Sequence, residues 1–214
     1  AHPCRPQVRL PRRAAGLTFR PKDIFVEQTV AAVARVAAVA TTAVSADDDL
    51  GAVVATPIIR WLAESGSRTD SFNQTMVVQV PPDVSIEDVH AVLQALLDHH
   101  AMLRLRADLT GDVHLSVPHP GSVDASACVT TAGALTADAI VRARADLDPV
   151  QGRMISAVWC AAEGRLALCV HHLSIDAVSW RILLEDMNIA WAQRRAHEPI
   201  VLPTPGTSFK RWAA

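Results

Sequence analysis

Residues 154–196 read MISAVWCAAEGRLALCVHHLSIDAVSWRILLEDMNIAWAQRRA. Two apolar runs, 154–161 and 166–171, flank the polar turn Ala162-Glu163-Gly164-Arg165, which predicts a hairpin. The second run ends on His171-His172-Leu173-Ser174-Ile175-Asp176, and the apolar spacing from Arg181 to Ala196 then predicts an amphipathic helix. A strand that ends on polar side chains just before a helix delivers those groups to the rim of a sheet.

Upstream, the text has the same rhythm. NQTMVVQV at 73–80 is a β-branched run stopped by PPDVS, and Ser85 with Asp88 forms an N-cap signature for a helix facing inward with Ile86, Val89, Leu93, Leu96 and Leu97. Leu103-Arg104-Leu105-Arg106 alternates with period two and returns, after Thr110-Gly111-Asp112, as Val113 to Val117. A further helix is expected from Thr136 as N-cap to Leu147, stopped at Asp148-Pro149 because a residue before proline is disfavoured from the helical region. Hairpins separated by helices predict an α+β class, with helices packed on a mostly antiparallel sheet.

Residues 1–15 are basic, proline-containing and without apolar period, so they are expected to form a flexible arm. In residues 16–40, Ile24, Phe25, Val30, Val33, Val36 and Val39 suit one or two short helices ending near Ala40. Residues 41–50 read as a linker, with the main boundary near residue 47 and a single domain over 51–214.

The 214 residues are 50% apolar and 20% charged, within the globular range. A net charge of −2 argues against a nucleic-acid or anionic-membrane partner, which calls for a basic excess. Tyrosine is absent and aromatics are 4%, which removes stacking platforms for single strands or sugars. Cys4, Cys128, Cys160 and Cys169 show no metal-ligand spacing; with no apolar signal core behind the N-terminal arginines, a reduced, cytoplasmic chain is expected.

A histidine at a strand end can exchange a proton near neutral pH, since its ordinary pKa is about 6.5. Standing alone, a His-His pair with an aspartate four residues on is commonly only a hydrogen-bonding detail. Adjacent strand residues face opposite sides, so one of His171 and His172 should point to a cleft and the other should be structural. Asp176 could orient a ring or pair with an arginine, for which Arg104 and Arg106, on one face of their strand, are candidates. His99-His100, at a helix end, is expected to face two directions and so not to share one ion; no metal site is expected. Cys160 and Cys169 fall on apolar strand positions, where buried hydrophobes are the default. Ser174 and Ser179 lack the turn of a serine hydrolase.

HHLSIDAVSWRILLEDM resembles the HHxxxD signature of the condensation superfamily of nonribosomal peptide synthetases, in the form usual for epimerization domains. Ala55 to Trp61 followed by Phe72-Asn73-Gln74 is similar to the opening of such domains, LLDHHAMLRLR at 96–106 to their RHxxLR motif, and Asp148-Pro149 to Gly152 and Thr207 to Trp212 fit the same family. GLTFRPKDIFVEQTVAAVA is similar to the last part of a carrier protein. The resemblance implies one lobe of a chloramphenicol-acetyltransferase-like fold over 51–214, preceded by a carrier remnant at 16–40. It implies His172 as the reactive residue, His171 and Asp176 shaping the loop, Arg104 as the partner of Asp176, and Ser179-Trp180 as epimerization-type neighbours.

The implied substrate is an aminoacyl or peptidyl thioester on the phosphopantetheine of a carrier protein, with no cofactor bound directly. Chemistry of that kind removes and returns an α-proton and needs a second acid or base, plus donors for the enolate-like oxygen. The family's second group is a glutamate of a C-terminal lobe, to which no residue here corresponds, and the carrier-like stretch lacks the serine that takes phosphopantetheine. The glycine common after the aspartate is Ala177. Peptide-bond-forming condensation by the same His172, and a non-catalytic half that needs its second lobe in trans, are the alternative readings. An isolated lobe is expected to be inactive and to self-associate through the surface meant for its partner.

Overall fold

The computed structural model describes residues 17–18, 26–39, 49–66, 69, 72–81 and 83–214. Its contacts divide the chain into two compact units, Ala1–Val44 and Ser45–Ala214. The expected arm at 1–15, Ile24 and Phe25, and most of the expected linker at 41–50 lie outside the described residues.

In the first unit a helix runs over Val30–Val36, capped by Thr29, whose side chain accepts the Ala32 N–H at 3.2 Å. It stops short of the expected Ala40: Ala37 is extended (φ −68°, ψ 132°), and Ala38–Val39 pairs antiparallel with Leu17–Thr18. Pairing with that segment wins over helical continuation in a valine-rich run, whose branched side chains favour the extended chain.

The second unit is built on a four-stranded sheet. In chain order its described elements are β1 (Gly51–Ala52), α1 (Pro57–Glu64), β2 (Asn73–Gln79), α2 (Ile86–His99), β3 (Arg106–Asp108), β4 (His114–Val117), β5 (Val129–Thr131), α3 (Ala137–Ala145), β6 (Ile155–Cys160), β7 (Arg165–His171), α4 (Ala177–Arg195) and α5 (Phe209–Ala213). The main sheet has the order β2-β7-β6-β5, antiparallel except for the parallel β5–β6 pair; β1-β4-β3 forms a smaller antiparallel sheet.

Strand β7 is buried along its length after Arg165 because both faces of the sheet are covered. Leu166, Leu168 and Val170 meet α2 and α4, through residues such as Leu93, Leu96 and Met187. The intervening Ala167 and Cys169 join Val158 under Ala139 and Ala143 of α3. The period of two therefore sorts β7 between two helical layers, and small residues lie on the α3 side. The capping box expected at α2 is present: the Ser85 hydroxyl accepts the Asp88 N–H and the Asp88 carboxylate accepts the Ser85 N–H. Thr136 caps α3 in the same way, accepting the Ala139 N–H at 3.2 Å.

Two expectations need correction. Leu103-Arg104-Leu105-Arg106 is not one strand: Ala101–Arg104 is a 3-10 turn and β3 starts at Arg106, so Arg104 is buried while Arg106 is exposed, and they do not share a face. Arg104 is drawn inward by carbonyls, donating from Nη1 to Leu97 and Asp98 at the end of α2 and from Nε to Pro118 at 3.3 Å. A buried cation needs such acceptors, and the end of a helix supplies them. The helix expected from Arg181 begins four residues earlier, at Ala177, because Asp176 caps it.

Candidate functional site

The site grows from the register of β2 against β7. Asn73 pairs with His171, Gln74 with Val170 and Thr75 with Cys169, and the His172 N–H donates to the Phe72 carbonyl at 2.9 Å. Gln74 therefore shares the face of Val170, on the side of α4, while Thr75 faces α3 and accepts from Arg144 Nε at 2.9 Å.

The two histidines separate as the strand period requires. His171 is fully buried; its Nε2 donates to the Thr69 carbonyl at 2.8 Å and its Nδ1 accepts the Leu173 N–H at 3.2 Å. Burial holds its pKa below the ordinary value, outweighing the opposing hydrogen bond to Thr69. With both nitrogens engaged, His171 is a structural pin at the strand end.

His172 is half-buried. Its ring stacks on Phe72, 4.7 Å between centroids and 19° between planes, and its Nε2 lies 2.9 Å from Gln74 Nε2. The Gln74 Oε1 in turn accepts from Trp180 Nε1 at 2.7 Å. Phe72 also meets His171 edge-on, so one ring braces both histidines.

Asp176 does not meet Arg104. Its Oδ1 accepts from the Ser179 N–H at 2.7 Å and from the Ser179 hydroxyl at 2.6 Å, and these bonds hold the carboxyl below the usual carboxylate range. Asp176 and Ser179 thus form the cap of α4. The implied Arg104–Asp176 pair is overturned because Arg104 is spent on the end of α2. Ala177 costs nothing here: it opens α4, away from the left-handed region that requires glycine.

His99 and His100 also depart from expectation. Their rings lie 4.9 Å apart at 86°, His100 Nε2 lies 3.0 Å from Asp186 Oδ2, and the three side chains bring ligand atoms within 4.8 Å of one another. The chain leaves the helix at His100 in extended conformation (φ −93°, ψ 97°), which swings the second ring beside the first. These are the described residues whose donor set could hold a metal. The buried Cys128, Cys160 and Cys169 are free thiols, with Cys128 pushed up to about 11 by burial, and they behave as core residues. A cleft of about 460 Å³ lies beside Thr69, Asp108, Asp146 and Arg153 rather than at His172.

Sequence reasoning noticed Phe72-Asn73-Gln74 only as part of a resemblance and missed what Gln74, Phe72 and Thr69 do. The signal was available: pairing the 73–80 run antiparallel to 165–171 puts Gln74 beside the histidines.

A family model for the condensation domain matches residues 56–214. Chondramide synthase of Chondromyces crocatus is 33% identical over 94% of this chain and 6% of its own length, and a linear gramicidin synthase polypeptide of Brevibacillus parabrevis is 33% identical over 93% of this chain and 4% of its own. The chain therefore spans only a small part of the curated relatives it matches. Among solved structures, the epimerization domain from the third module of tyrocidine synthetase B aligns with a TM-score of 0.65 at 24% identity, over 77% of this chain and 40% of that one. The first condensation domain of the calcium-dependent antibiotic synthetase, in complex with a substrate analogue, aligns with a TM-score of 0.57 at 16% identity, over 76% and 42%. Likeness at these identities shows the fold, which is the expected α+β fold of the chloramphenicol-acetyltransferase-like kind. The match over 56–214 settles the family: the chain belongs to the condensation-domain family of nonribosomal peptide synthetases.

Proposed function

We propose that residues 51–214 are the N-terminal lobe of an epimerization-type domain that inverts the α-carbon of an aminoacyl or peptidyl thioester held on a carrier protein's phosphopantetheine. The observation that carries this reading is the division of labour between the histidines. His171 is buried with both nitrogens bonded, whereas His172, at the strand end, is only half-buried, which is what a group that must meet a tethered substrate requires.

In this reading the His172 imidazole takes the α-proton. The Cα–H electron pair moves toward the thioester carbonyl, giving an enolate-like oxygen, and the ring becomes imidazolium. A proton returned to the opposite face by a second acid completes the inversion, after which the two groups exchange their protons back. The second acid and the oxyanion donors belong to a second lobe, and residues 16–40 to the end of a carrier; the system works in the cytoplasm. No helix among the described residues is long and apolar enough to cross a membrane. Ile58, Trp61, Val178 and Ile182 are exposed apolar side chains suited to the second lobe or, without it, to self-association. Light scattering that returns only monomer at high concentration counts against that surface.

The test follows α-hydrogen exchange from deuterated water into an L-aminoacyl carrier thioester, with a C-terminal lobe supplied. Exchange that falls about 100-fold or more in His172→Ala supports the assignment. Unchanged exchange in that variant overturns it, and amide formation with a second carrier-bound amine, without exchange, assigns the lobe to condensation instead.

A further inference from the structure

An indole N–H can only donate. Because Trp180 Nε1 sits 2.7 Å from the Gln74 side-chain amide, the atom it meets must be the amide oxygen, and the opposite end of Gln74 must be the NH2. That NH2 lies 2.9 Å from His172 Nε2. An amide NH2 has no lone pair to offer, so the ring nitrogen it meets must be the acceptor, and in the neutral ring the proton must sit on Nδ1. We infer that Gln74, itself fixed by Trp180, is a positioning residue that holds His172 in the Nδ1–H tautomer with its lone pair on Nε2.

The neighbouring ring is held the other way. Thr69 offers a carbonyl, which only accepts, so His171 carries its proton on Nε2, and its Nδ1 takes the Leu173 N–H. Adjacent histidines therefore hold opposite tautomers, each set by a partner that can play one role only. The arrangement follows from register, because Gln74 is the β2 residue that both faces α4, where Trp180 lies, and adjoins the end of β7.

The inference deepens the proposed role of His172 and rests on that reading for its catalytic meaning. A base must present an unprotonated nitrogen, and Gln74 keeps Nε2 in that form. The same N–H lies where a proton must arrive, so it has to swing aside as Nε2 accepts one. Stacking on Phe72 holds the ring plane while it does so.

The tautomer can be read without turnover. With ¹⁵N-labelled histidine in the full 214-residue chain, and His172 assigned by the signal lost in His172→Asn, long-range proton–nitrogen correlation above pH 8 distinguishes the two ring nitrogens. The expected pattern has an unprotonated Nε2 and a protonated Nδ1 at His172, and the reverse at His171. In Gln74→Glu the side chain offers only acceptors, so the His172 order should reverse. In Gln74→Met, which keeps length without a donor, the two tautomers should mix. Trp180→Phe frees the amide to turn over and should also mix them, with the His171 signals unmoved. A protonated Nε2 in the parent chain, or the parent pattern surviving in Gln74→Glu, overturns the inference. Should α-hydrogen exchange instead fail while the tautomer pattern holds, the base assignment falls and the positioning of the ring stands.

Discussion

The chain holds two His-His dipeptides, 99–100 at the end of α2 and 171–172 at the end of β7, and their backbones use them differently. At the strand end the period of two sends one ring into the sheet and leaves the other half-exposed. At the helix end, the extended His100 turns its ring against His99 and to within 3.0 Å of Asp186. Adjacency in sequence therefore says nothing about shared chemistry until the conformation of the second residue is known.

The largest expected effect tests the strand-end division. His171→Ala removes a fully buried ring with two hydrogen bonds and should cost about 3 kcal/mol in urea unfolding, whereas His172→Ala, on a half-exposed ring, should cost about 1 kcal/mol or less. Equal losses would erase the distinction between pin and working group. Next in size, Asp186→Ala takes from the His100 ring its partner, a carboxylate on a residue only 7% exposed, and should cost about 2 kcal/mol. A double-mutant cycle with His100→Ala should show coupling of about 1 kcal/mol, and additivity would mean that the two side chains are merely near each other.

A smaller, shared effect is read from pH. Burial lowers the pKa of both His171 and His99; at His99 the neighbouring His100 adds to this while Asp186 opposes it, and at His171 the neighbouring His172 adds to it. When the folded value lies below the unfolded one, the unfolded chain binds the proton first, so stability falls as pH drops below the ordinary value of about 6.5 and levels off below the folded values. The melting temperature should decline through that window, and less steeply in His99→Gln. A flat profile there would show that neither ring is held neutral by the fold.

Sequence patterns revealed the elements whose signals are local. The Ser85–Asp88 box, the Thr136 cap and the hairpin around Gly164 each follow from residues within a few positions of one another. What escaped depended on distant partners. Arg104 looked like an alternating strand residue, and only the fold reveals that helix-end carbonyls draw it inward. Gln74 lies 98 residues from His172, and its role exists only once β2 and β7 are in register. Asp176 was legible as part of a motif but was assigned to an arginine; the three-residue spacing to Ser179, the same signal that located Ser85–Asp88, already pointed to a cap.

That cap supplies the smallest contrast between the two histidine pairs. Asp176 closes the loop that begins at His172, whereas the turn after His100 has no side-chain cap. Asp176→Ala should cost about 1 kcal/mol by freeing the Ser179 N–H, whereas Asp176→Asn, which keeps an acceptor, should cost a few tenths. The carboxyl is held below its ordinary value of 3.8, first by the Ser179 hydroxyl and then by its N–H. Its contribution is therefore complete above about pH 4 and is lost as pH falls through the lowered folded value, a range separate from the histidine window. Comparing Asp176→Asn with the parent chain at pH 7 and pH 3 isolates the charge. The gap should narrow at the lower pH, which lies below the ordinary value, and a gap of unchanged size there would mean that Asp176 acts through its shape rather than its charge.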